Sequence, residues 1–409
     1  MTEHPPIVIV GAGLAGAKTA EALRDLDYPG RVVLIGAEEH LPYDRPPLSK
    51  GYVMGKKTRT DITLLPPQWY RDHHVDVLLG TEISAIDRDA KQVLLPDTSA
   101  IEYSRLVLAT GSAPRRLTVP GADADGVFYL RTVDQSDALI DLLRGGGRLA
   151  IIGAGWIGLE IAAAARSQDL TVSVVETAPV PLLGALGPEM GSVFAEIHRE
   201  HGVDLHLGSG VEEITTTAGT ANGVRLSSGD SLPADAVLVA VGAQPNVALA
   251  REAGLAVNAG VLVDETLVTS DPDIVAVGDI ADHQHPLLQR RIRVEHWANA
   301  LNQPRAAAST LMGKPAPYDN LPYFFTDQYD LGMEYVGFAP QKEYARVVVR
   351  GDVARHEFVA FWLDSADRVL AGMNVNVWDV TDAVKTLIRS GRSVDAQRLA
   401  DQDVPIDQA

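Results

Sequence analysis

The feature that most constrains this sequence is a strand, glycine loop, helix and strand unit that occurs twice, at residues 5–39 and again at residues 148–177. In each copy the glycines follow the pattern G-x-G-x-x-G: Gly11, Gly13 and Gly16, then Gly153, Gly155 and Gly158. The first glycine of such a loop permits the tight turn, the second lets the backbone approach a pyrophosphate, and the third allows close packing of helix on strand. The repeat therefore predicts two doubly wound nucleotide-binding domains.

An acidic residue follows the second strand of each copy, Glu38 in the first and Glu176 in the second. A carboxylate at this position accepts hydrogen bonds from an adenosine ribose and repels a 2′-phosphate, which would instead require a nearby arginine. No Lys or Arg occurs in residues 177–187. We therefore expect the second site to prefer NADH to NADPH; the alternative is that Glu176 merely caps a strand in solvent.

The remaining sequence predicts a mixed α/β chain. Two Rossmann-like nucleotide-binding domains are expected, one over residues 1–117 with 245–320 and the other over residues 118–244. From about residue 321 the apolar pattern alternates as in an antiparallel sheet, before a closing helical stretch. This change predicts a third, smaller α+β domain over residues 321–409.

Composition narrows the chemistry. The 409 residues contain no cysteine, which excludes disulfides, thiolate metal sites and cysteine nucleophiles, and no metal site is expected. The net charge of −19 disfavours nucleic acid or an anionic membrane as a partner. No apolar run is long enough to span a bilayer and the N-terminus lacks a basic leader, so a cytoplasmic location is expected.

At several motifs the chain resembles the FAD-dependent pyridine nucleotide reductases. It is most similar to ferredoxin reductases of the putidaredoxin reductase type, which serve bacterial cytochrome P450 and Rieske dioxygenase systems. The motifs appear in the family's order over nearly the full length: IVIVGAGLAG, LPYDRPPLSK, LVLATGSAPR, YLRT, the second glycine loop ending in LE, VAVGAQPN, DIVAVGDIAD and FFTDQYD.

The resemblance implies a glutathione-reductase-like arrangement in which the first glycine loop, in the domain of residues 1–117 and 245–320, binds FAD, and the second, in the domain of residues 118–244, binds NADH. Asp279 would then bind the ribityl chain, Arg45 and Arg131 would contact FAD, and Lys50 would lie beside the isoalloxazine. The alternative for the RPPLSK segment, taken alone, is an exposed loop stiffened by proline. Besides the glycines and acids already named, the implied cofactor-binding residues are Leu14, Ala15, Arg45, Lys50, Ala109, Thr110, Gly111, Arg131, Trp156, Ile157, Glu160, Gly242, Gly278, Asp279, Glu295, His296, Trp297 and Phe325.

Glu160 lies in the otherwise apolar run WIGLEIAAAA, just inside the second glycine-loop helix. A carboxylate in such a run requires a partner, unless it lies on the helix surface. In the resembled family the matching glutamate pairs with the lysine equated here with Lys50. We expect Lys50 and Glu160 to form a buried pair that holds the ring environment and positions the nicotinamide, without acting as acid or base.

The implied function is electron transfer from NADH through FAD to a [2Fe–2S] ferredoxin. Without cysteine the disulfide reductases and cysteine-dependent NADH oxidases of related families are excluded, and one-electron transfer directly from the flavin remains. Two alternatives stay open. One is a reductase of a quinone, of monodehydroascorbate or of rubredoxin, and the other is an NADH-sensing protein like apoptosis-inducing factor.

Two features of the flavin and partner regions are less typical. Phe325 stands where many family members have tryptophan, so a stacking face remains but the indole N–H is lost. Trp297 is either a neighbouring aromatic of the flavin or a core residue. Because the resembled ferredoxins are often acidic, a local basic patch is expected to bind the partner, with these candidates: Arg290, Arg291, Arg293 and Arg305.

Overall fold

The computed structural model describes residues 5–409. The chain divides into two compact units, and each is built from three separate segments. Unit 1 contains the chain up to Arg45, Arg59–Ala113 and Gln244–Pro322; unit 2 contains Pro46–Thr58, Pro114–Ala243 and Tyr323–Ala409.

Unit 1 is centred on a five-stranded parallel sheet. Its strands are β1 (Ile7–Val10), β2 (Val32–Ile35), β3 (Val75–Leu78), β7 (Arg105–Leu108) and β19 (Ile274–Ala276). They lie in the order β19-β7-β1-β2-β3. Strands β1 and β2 are buried along their whole length, as expected for a sheet covered on both faces. Helix α1 (Leu14–Asp25) connects β1 to β2 and begins directly at the first glycine loop.

Two small sheets and several helices complete unit 1. The antiparallel sheet contains β4 (Ala85–Asp87), β5 (Gln92–Leu94) and β6 (Ala100–Glu102), and the mixed sheet contains β18 (Val261–Val263), β20 (Ala281–His285) and β21 (Arg290–Arg293). The helices are α2 (Arg59–Ile62), α3 (Pro67–Asp72), α7 (Ala248–Glu252), α8 (Trp297–Leu311) and a 3-10 helix at Gly278–Ile280. Two further strands, β8 (Ser112–Pro114) and β17 (Ala243–Pro245), lie where the chain passes from one unit to the other.

Unit 2 repeats the parallel sheet. Its strands are β9 (Val127–Tyr129), β10 (Arg148–Ile152), β11 (Thr171–Glu176), β12 (Asp204–Leu207) and β16 (Ala236–Val239). They lie in the order β12-β11-β10-β16-β9. Helix α5 (Trp156–Arg166) follows the second glycine loop, and α4 (Val133–Gly145) begins at a capping box in which Thr132 and Gln135 exchange hydrogen bonds. Helix α6 (Leu183–Glu200) and a short sheet of β13 (Val211–Thr217), β14 (Thr220–Leu226) and β15 (Ser231–Pro233) complete this half.

The last part of unit 2 is a five-stranded antiparallel sheet. Its strands are β22 (Tyr323–Gln328), β23 (Leu331–Gly337), β24 (Arg346–Asp352), β25 (Glu357–Leu363) and β26 (Val369–Val375). Helices α9 (Thr381–Ser390) and α10 (Ala396–Ala400) and a 3-10 helix (Ile406–Gln408) follow it, and a further 3-10 helix (Pro46–Ser49) comes from the early segment.

The fold class predicted from sequence is confirmed: there are two five-stranded parallel sheets and an antiparallel α+β region at the C-terminal end. Within residues 5–409, no helix combines the length and the apolar character needed to cross a bilayer.

Candidate functional site

The first glycine loop joins β1 to α1 and leaves no room for side chains at two positions. Gly11 has a φ of +112°, and a Cβ there would lie 2.1 Å from the Ala109 carbonyl oxygen. A Cβ on Gly16 would lie 1.9 Å from the Gly11 carbonyl oxygen. These two glycines are therefore required by the turn and by the packing of the helix on the strand.

Gly13 is different, because nothing in its own surroundings requires a glycine. Its φ of −87° is open to any residue, and a Cβ would meet no atom within 4 Å. At the second position of this motif, a glycine with room for a side chain fits a ligand that approaches the backbone closely. Gly13 is also the N-cap of α1, where free backbone N–H groups and the helix dipole favour a phosphate.

The second loop has the same three-part geometry. A Cβ added at Gly153 or Gly158 would lie 2.4 Å or 2.1 Å, respectively, from a backbone oxygen. A Cβ added at Gly155 would again meet no atom within 4 Å. Gly155 is the N-cap of α5 with a φ of −81°. Both loops thus fit a bound pyrophosphate by the same criterion.

Glu38 in unit 1 lies just beyond the end of β2 and is half-buried. Its Oε1 atom accepts a 2.6 Å bond from Arg45 Nη2, and its Oε2 atom accepts one from the Tyr43 hydroxyl. Glu38 and Arg45, predicted as separate FAD contacts, therefore form one ion pair in the structure.

Asp279 is buried in the 3-10 helix that follows β19, and it accepts a 3.1 Å hydrogen bond from Ser112 Oγ. The neighbouring Gly278 N–H donates to Gln303 Oε1 on α8 at 2.8 Å. Gln303 is fully buried, yet its Nε2 atom has no acceptor among the residues that the structure describes. Since an unpaired buried donor costs about 1–3 kcal/mol, this position fits a bound group that carries acceptors.

Most of the other residues predicted for the first cofactor also lie in unit 1, with Leu14 and Ala15 in the first turn of α1, but Lys50 and Arg131 lie in unit 2. Ala109, Thr110 and Gly111 follow β7, where Thr110 Oγ1 donates to the Asn246 carbonyl at 2.8 Å. Trp297 is the first residue of α8, and its indole N–H donates to Asp44 Oδ1 at 2.6 Å. Glu295 is exposed and paired with Arg293. Burial lowers the pKa of His296 to about 4, although Asp279 opposes this.

In unit 2 the structure brings Lys50 and Glu160 together, as predicted. Lys50 Nζ lies 2.7 Å from Glu160 Oε1, and the two side chains are only 11% and 5% exposed. The Phe325 ring centroid lies 5.5 Å from the same ammonium. Lys50 follows a 3-10 helix that is anchored on α4, where Ser136 Oγ donates to the Leu48 carbonyl at 2.8 Å.

Two further residues of this cluster were missed from the sequence. Thr326 Oγ1 donates to Glu160 Oε1 at 2.6 Å, and Ser49 Oγ donates to Glu160 Oε2. Each directly adjoins a predicted residue, Lys50 or Phe325, but a hydroxyl beside a motif residue carries no signal of its own. The carboxylate thus accepts from an ammonium and two hydroxyls, the condition under which a buried ion pair is tolerated.

Glu176, at the end of β11, holds its carboxylate against the second glycine loop. Oε2 accepts a 2.8 Å bond from the Ala154 N–H, and Oε1 accepts one of 2.8 Å from the Ala178 N–H. The residue lines a cleft of about 290 Å³ with Gly153, Gly155 and Gly242. A fixed carboxylate at the rim of such a cleft suits a ribose diol.

Three other predicted residues lie elsewhere in unit 2. Trp156, the first residue of α5, packs against Phe324 with ring centroids 4.8 Å apart. The adjacent Ile157 is 41% exposed. Arg131 follows β9 and is half-buried. Its backbone N–H donates to Gln135 Oε1.

The four candidate partner arginines have different environments in unit 1. Arg291 donates to the Val263 and Asp282 carbonyls at 3.0 Å and 2.7 Å, and Arg293 is paired with Glu295. Arg290 and Arg305 are exposed. Over residues 5–409 no group of three or more His, Asp or Glu side chains could hold a metal ion.

Comparison with known proteins gives a consistent picture. Residues 5–303 match the model of the pyridine nucleotide-disulphide oxidoreductase family, and residues 323–409 match a reductase C-terminal family. The chain is 38% identical to putidaredoxin reductase of Pseudomonas putida over 99% of its length and 97% of the relative. It is 40% identical to the ferredoxin–NAD(+) reductase component of the anthranilate 1,2-dioxygenase system of Burkholderia cepacia, covering 98% of each chain.

A solved structure extends the likeness to three dimensions. The crystal structure of a covalent putidaredoxin reductase–putidaredoxin complex matches with a TM-score of 0.95 and 38% identity, covering 99% of this chain and 98% of the other.

Proposed function

This chain belongs to the pyridine nucleotide-disulphide oxidoreductase family, and from that premise we propose that it is a ferredoxin–NAD(+) reductase. It takes electrons from NADH through FAD to a [2Fe–2S] ferredoxin that serves a cytochrome P450 or a Rieske oxygenase. The observation that carries the proposal is the pair of glycine loops, each with a glycine whose open Cβ position fits a bound pyrophosphate. Full-length relatives named as ferredoxin–NAD(+) reductases support it.

The absence of cysteine selects the route by which electrons leave. Many members of a disulphide oxidoreductase family would pass electrons to a thiol pair, but this sequence has none. When bound, FAD accepts a hydride from nicotinamide and can release the two electrons one at a time. A one-electron acceptor such as a ferredoxin therefore fits this chain.

We assign FAD to the first loop and its surroundings in unit 1. The α1 N-terminus at Gly13 would hold the pyrophosphate, Glu38 with Arg45 would hold the adenosine end, and Asp279 would accept from the ribityl hydroxyls. Gln303 would complete the site with its unpaired amide donor. These residues bind and orient, and none of them has to transfer a proton.

We assign NADH to the second loop. The Glu176 carboxylate is already oriented by two backbone N–H groups, so it can accept from a ribose 2′-hydroxyl without reorganising. A 2′-phosphate would meet this negative charge with no Lys or Arg in residues 177–187 to neutralise it. NADH is therefore the donor.

The Lys50–Glu160 pair supplies a fixed positive charge for the flavin ring. Glu160 is buried and holds the Lys50 ammonium in place, so Lys50 would be positioned to donate a hydrogen bond at the reacting edge. Hydride transfer depends on alignment more than on proton transfer, so a fixed donor is what the reaction needs. The Phe325 ring also contacts the Lys50 ammonium and presents an apolar face.

The domain roles and the location complete the proposal. We assign residues 1–117 and 245–320 to FAD binding, 118–244 to NAD(H) binding, and 321–409 to an interface domain. A cytoplasmic location is part of the proposal, as expected from the sequence. Of the arginine candidates, exposed Arg305 is the one whose environment suits a partner.

Anaerobic stopped-flow absorbance tests the function. The purified flavoprotein is mixed with NADH or NADPH and then with a [2Fe–2S] ferredoxin. We expect rapid bleaching by NADH, slow bleaching by NADPH and recovery of the flavin band with the ferredoxin. Reduced flavin that persists with several ferredoxins but recovers with a quinone or rubredoxin would replace the proposal with the small-acceptor alternative. Persistence with every acceptor would indicate an NADH sensor.

A further inference from the structure

Beyond Glu160, unit 2 contains a line of buried polar side chains that the proposed function does not use. Thr326 and Gln328 lie on β22 and His198 lies on α6, and their exposed fractions are 0%, 1% and 0%. Tyr329, in the turn after β22, is half-buried. Consecutive hydrogen bonds of 2.6, 3.2, 2.8 and 3.0 Å join Glu160, Thr326, Gln328, His198 and Tyr329 in that order.

The direction of every bond in this line follows from its first member. A carboxylate paired with Lys50 can only accept, so the Thr326 hydroxyl must donate to it. Thr326 Oγ1 then accepts from Gln328 Nε2, which leaves Gln328 Oε1 to face His198 Nε2. Since an amide oxygen only accepts, His198 Nε2 must carry a hydrogen.

The second ring nitrogen of His198, Nδ1, must be an acceptor. Burial lowers the pKa of His198 to about 4, because the Gln328 bond that favours the charged form is the weaker influence and nearby His201 also disfavours it. The ring is therefore neutral at pH 7, Nδ1 is an acceptor, and the Tyr329 hydroxyl donates to it. The four donors thus all point toward Glu160.

The turn that contains the last donor, Tyr329, has an unusual backbone conformation. Tyr329 has a φ of +56°, a left-handed conformation that a bulky residue seldom adopts and that favours glycine or asparagine. Its ring stacks on His201 with centroids 3.6 Å apart and planes 12° apart. A tyrosine held in this strained conformation fits a side chain whose contacts fix it in place.

We propose that Thr326, Gln328 and His198 are positioning residues for the Lys50–Glu160 pair, acting as a one-way hydrogen-bond chain that fixes the Glu160 carboxylate through the Thr326 hydroxyl. The inference rests on the proposed function, since it assumes that Lys50 acts at the flavin. Bonds that run in one direction strengthen each other, and the last of them goes to a charged acceptor, where hydrogen bonds are strongest. A fixed carboxylate fixes the ammonium that shares its Oε1 atom.

The first test removes the terminal donor with little change of shape. Thr326→Val deletes the hydroxyl and Thr326→Ser restores it, both in the holoenzyme. We expect Thr326→Val to slow flavin reduction by NADH about tenfold, the order expected for a lost hydrogen bond to a charged group, and Thr326→Ser to stay within about twofold of the parent. Equal rates in all three proteins would overturn the positioning role.

The second test reads the direction of the chain by ¹⁵N NMR of the His198 ring, assigned with His198→Gln. The parent is expected to show the neutral Nε2–H form between about pH 5.5 and 8, since the ring titrates near pH 4. The charged or titratable side chains near this ring and its tyrosine partner include His201 and Arg166. An Nδ1–H or a doubly protonated His198 ring in the parent would refute the proposed hydrogen-bond chain.

Two variants distinguish the directional hydrogen bonds from a role of these side chains in packing alone. In Thr326→Val the Gln328 amide is free to turn over, so the His198 signals should shift toward the other tautomer; in Tyr329→Phe the Gln328 bond still fixes the ring, so Nε2–H should persist. An unchanged His198 spectrum in Thr326→Val would contradict the coupling. These NMR readouts need no ferredoxin. A failure of ferredoxin reduction with the NMR pattern intact would therefore count against the proposed function and not against the hydrogen-bond chain.

Discussion

Glu176 holds its carboxylate in one orientation because the Ala154 and Ala178 N–H groups bind one oxygen each. Each carboxylate oxygen retains accepting capacity beyond these bonds. A ribose hydroxyl can therefore donate to a group that is already in place, which costs little ordering. The same fixed charge cannot move away from a 2′-phosphate.

A charge-neutral replacement of Glu176 should therefore weaken the choice between the two nicotinamide cofactors. We expect Glu176→Gln to lower the ratio of kcat/KM for NADH over NADPH about tenfold, since one hydrogen bond to a charged group is lost and the repulsion of the phosphate is removed. Steady-state kinetics with each cofactor measure the ratio. Glu38→Gln is the matched control, because it makes the same change at the corresponding place in unit 1. A shift of the ratio in the control alone would reverse the assignment of the two loops.

At the scale of elements, each nucleotide unit depends on a strand, a glycine loop and a helix whose three glycines serve two different purposes. Two of them let the chain turn and the helix pack, and the middle one leaves room for something that is not protein. Alanine substitution at the middle glycine should therefore leave the fold intact, whereas alanine at the third glycine would collide with a backbone oxygen. This distinction separates binding from folding within one loop.

We expect Gly13→Ala to fold but to lose FAD during purification, and Gly155→Ala to retain FAD while its KM for NADH rises about tenfold, because a methyl group keeps the backbone from the pyrophosphate. Gly16→Ala and Gly158→Ala should instead give little soluble protein. Flavin absorbance per protein, circular dichroism and KM measure these outcomes. Full FAD content in Gly13→Ala would show that the first loop does not hold this cofactor.

The elements differ in how far sequence alone could predict them. Glycine spacing and strand-end acids are local signals, so both nucleotide units and Glu176 could be recognised. The apolar run around Glu160 indicated only that this charge needed a partner, and the family resemblance identified Lys50 as that partner. The contacts of Thr326, Gln328 and His198 could not be predicted, because residues 166 and 130 positions apart meet only through tertiary packing. For the same reason the carbonyl contacts of Arg291 were not foreseen.

At the scale of the whole molecule, the net charge of −19 poses a problem for binding an acidic ferredoxin. Two negatively charged proteins repel each other at long range, so association requires a local positive region that is free to face the partner. Arg291 and Arg293 are engaged with their own chain, but Arg305 on α8 is exposed and has no hydrogen bond or ion pair among the residues that the structure describes. It is therefore the best placed of the candidates.

Charge reversal at Arg305 should weaken encounter with the partner while leaving the earlier reaction intact. With an acidic [2Fe–2S] ferredoxin at low ionic strength, we expect Arg305→Glu to raise the KM for the ferredoxin about fivefold, and the effect to shrink as salt screens the charges. Flavin reduction by NADH should not change. The measurements are ferredoxin-dependent turnover over a range of salt concentrations and stopped-flow flavin reduction.

Arg144→Glu is the control that separates a local effect from a change in total charge. Arg144 lies on α4, its side chain is 69% exposed, and its nearest acidic partner is 3.9 Å away. Both variants change the net charge by the same amount, so a contribution from overall repulsion would appear equally in both. Equal KM values for the two variants would place the docking surface away from α8, whereas a salt-dependent increase in Arg305→Glu alone would assign Arg305 to it.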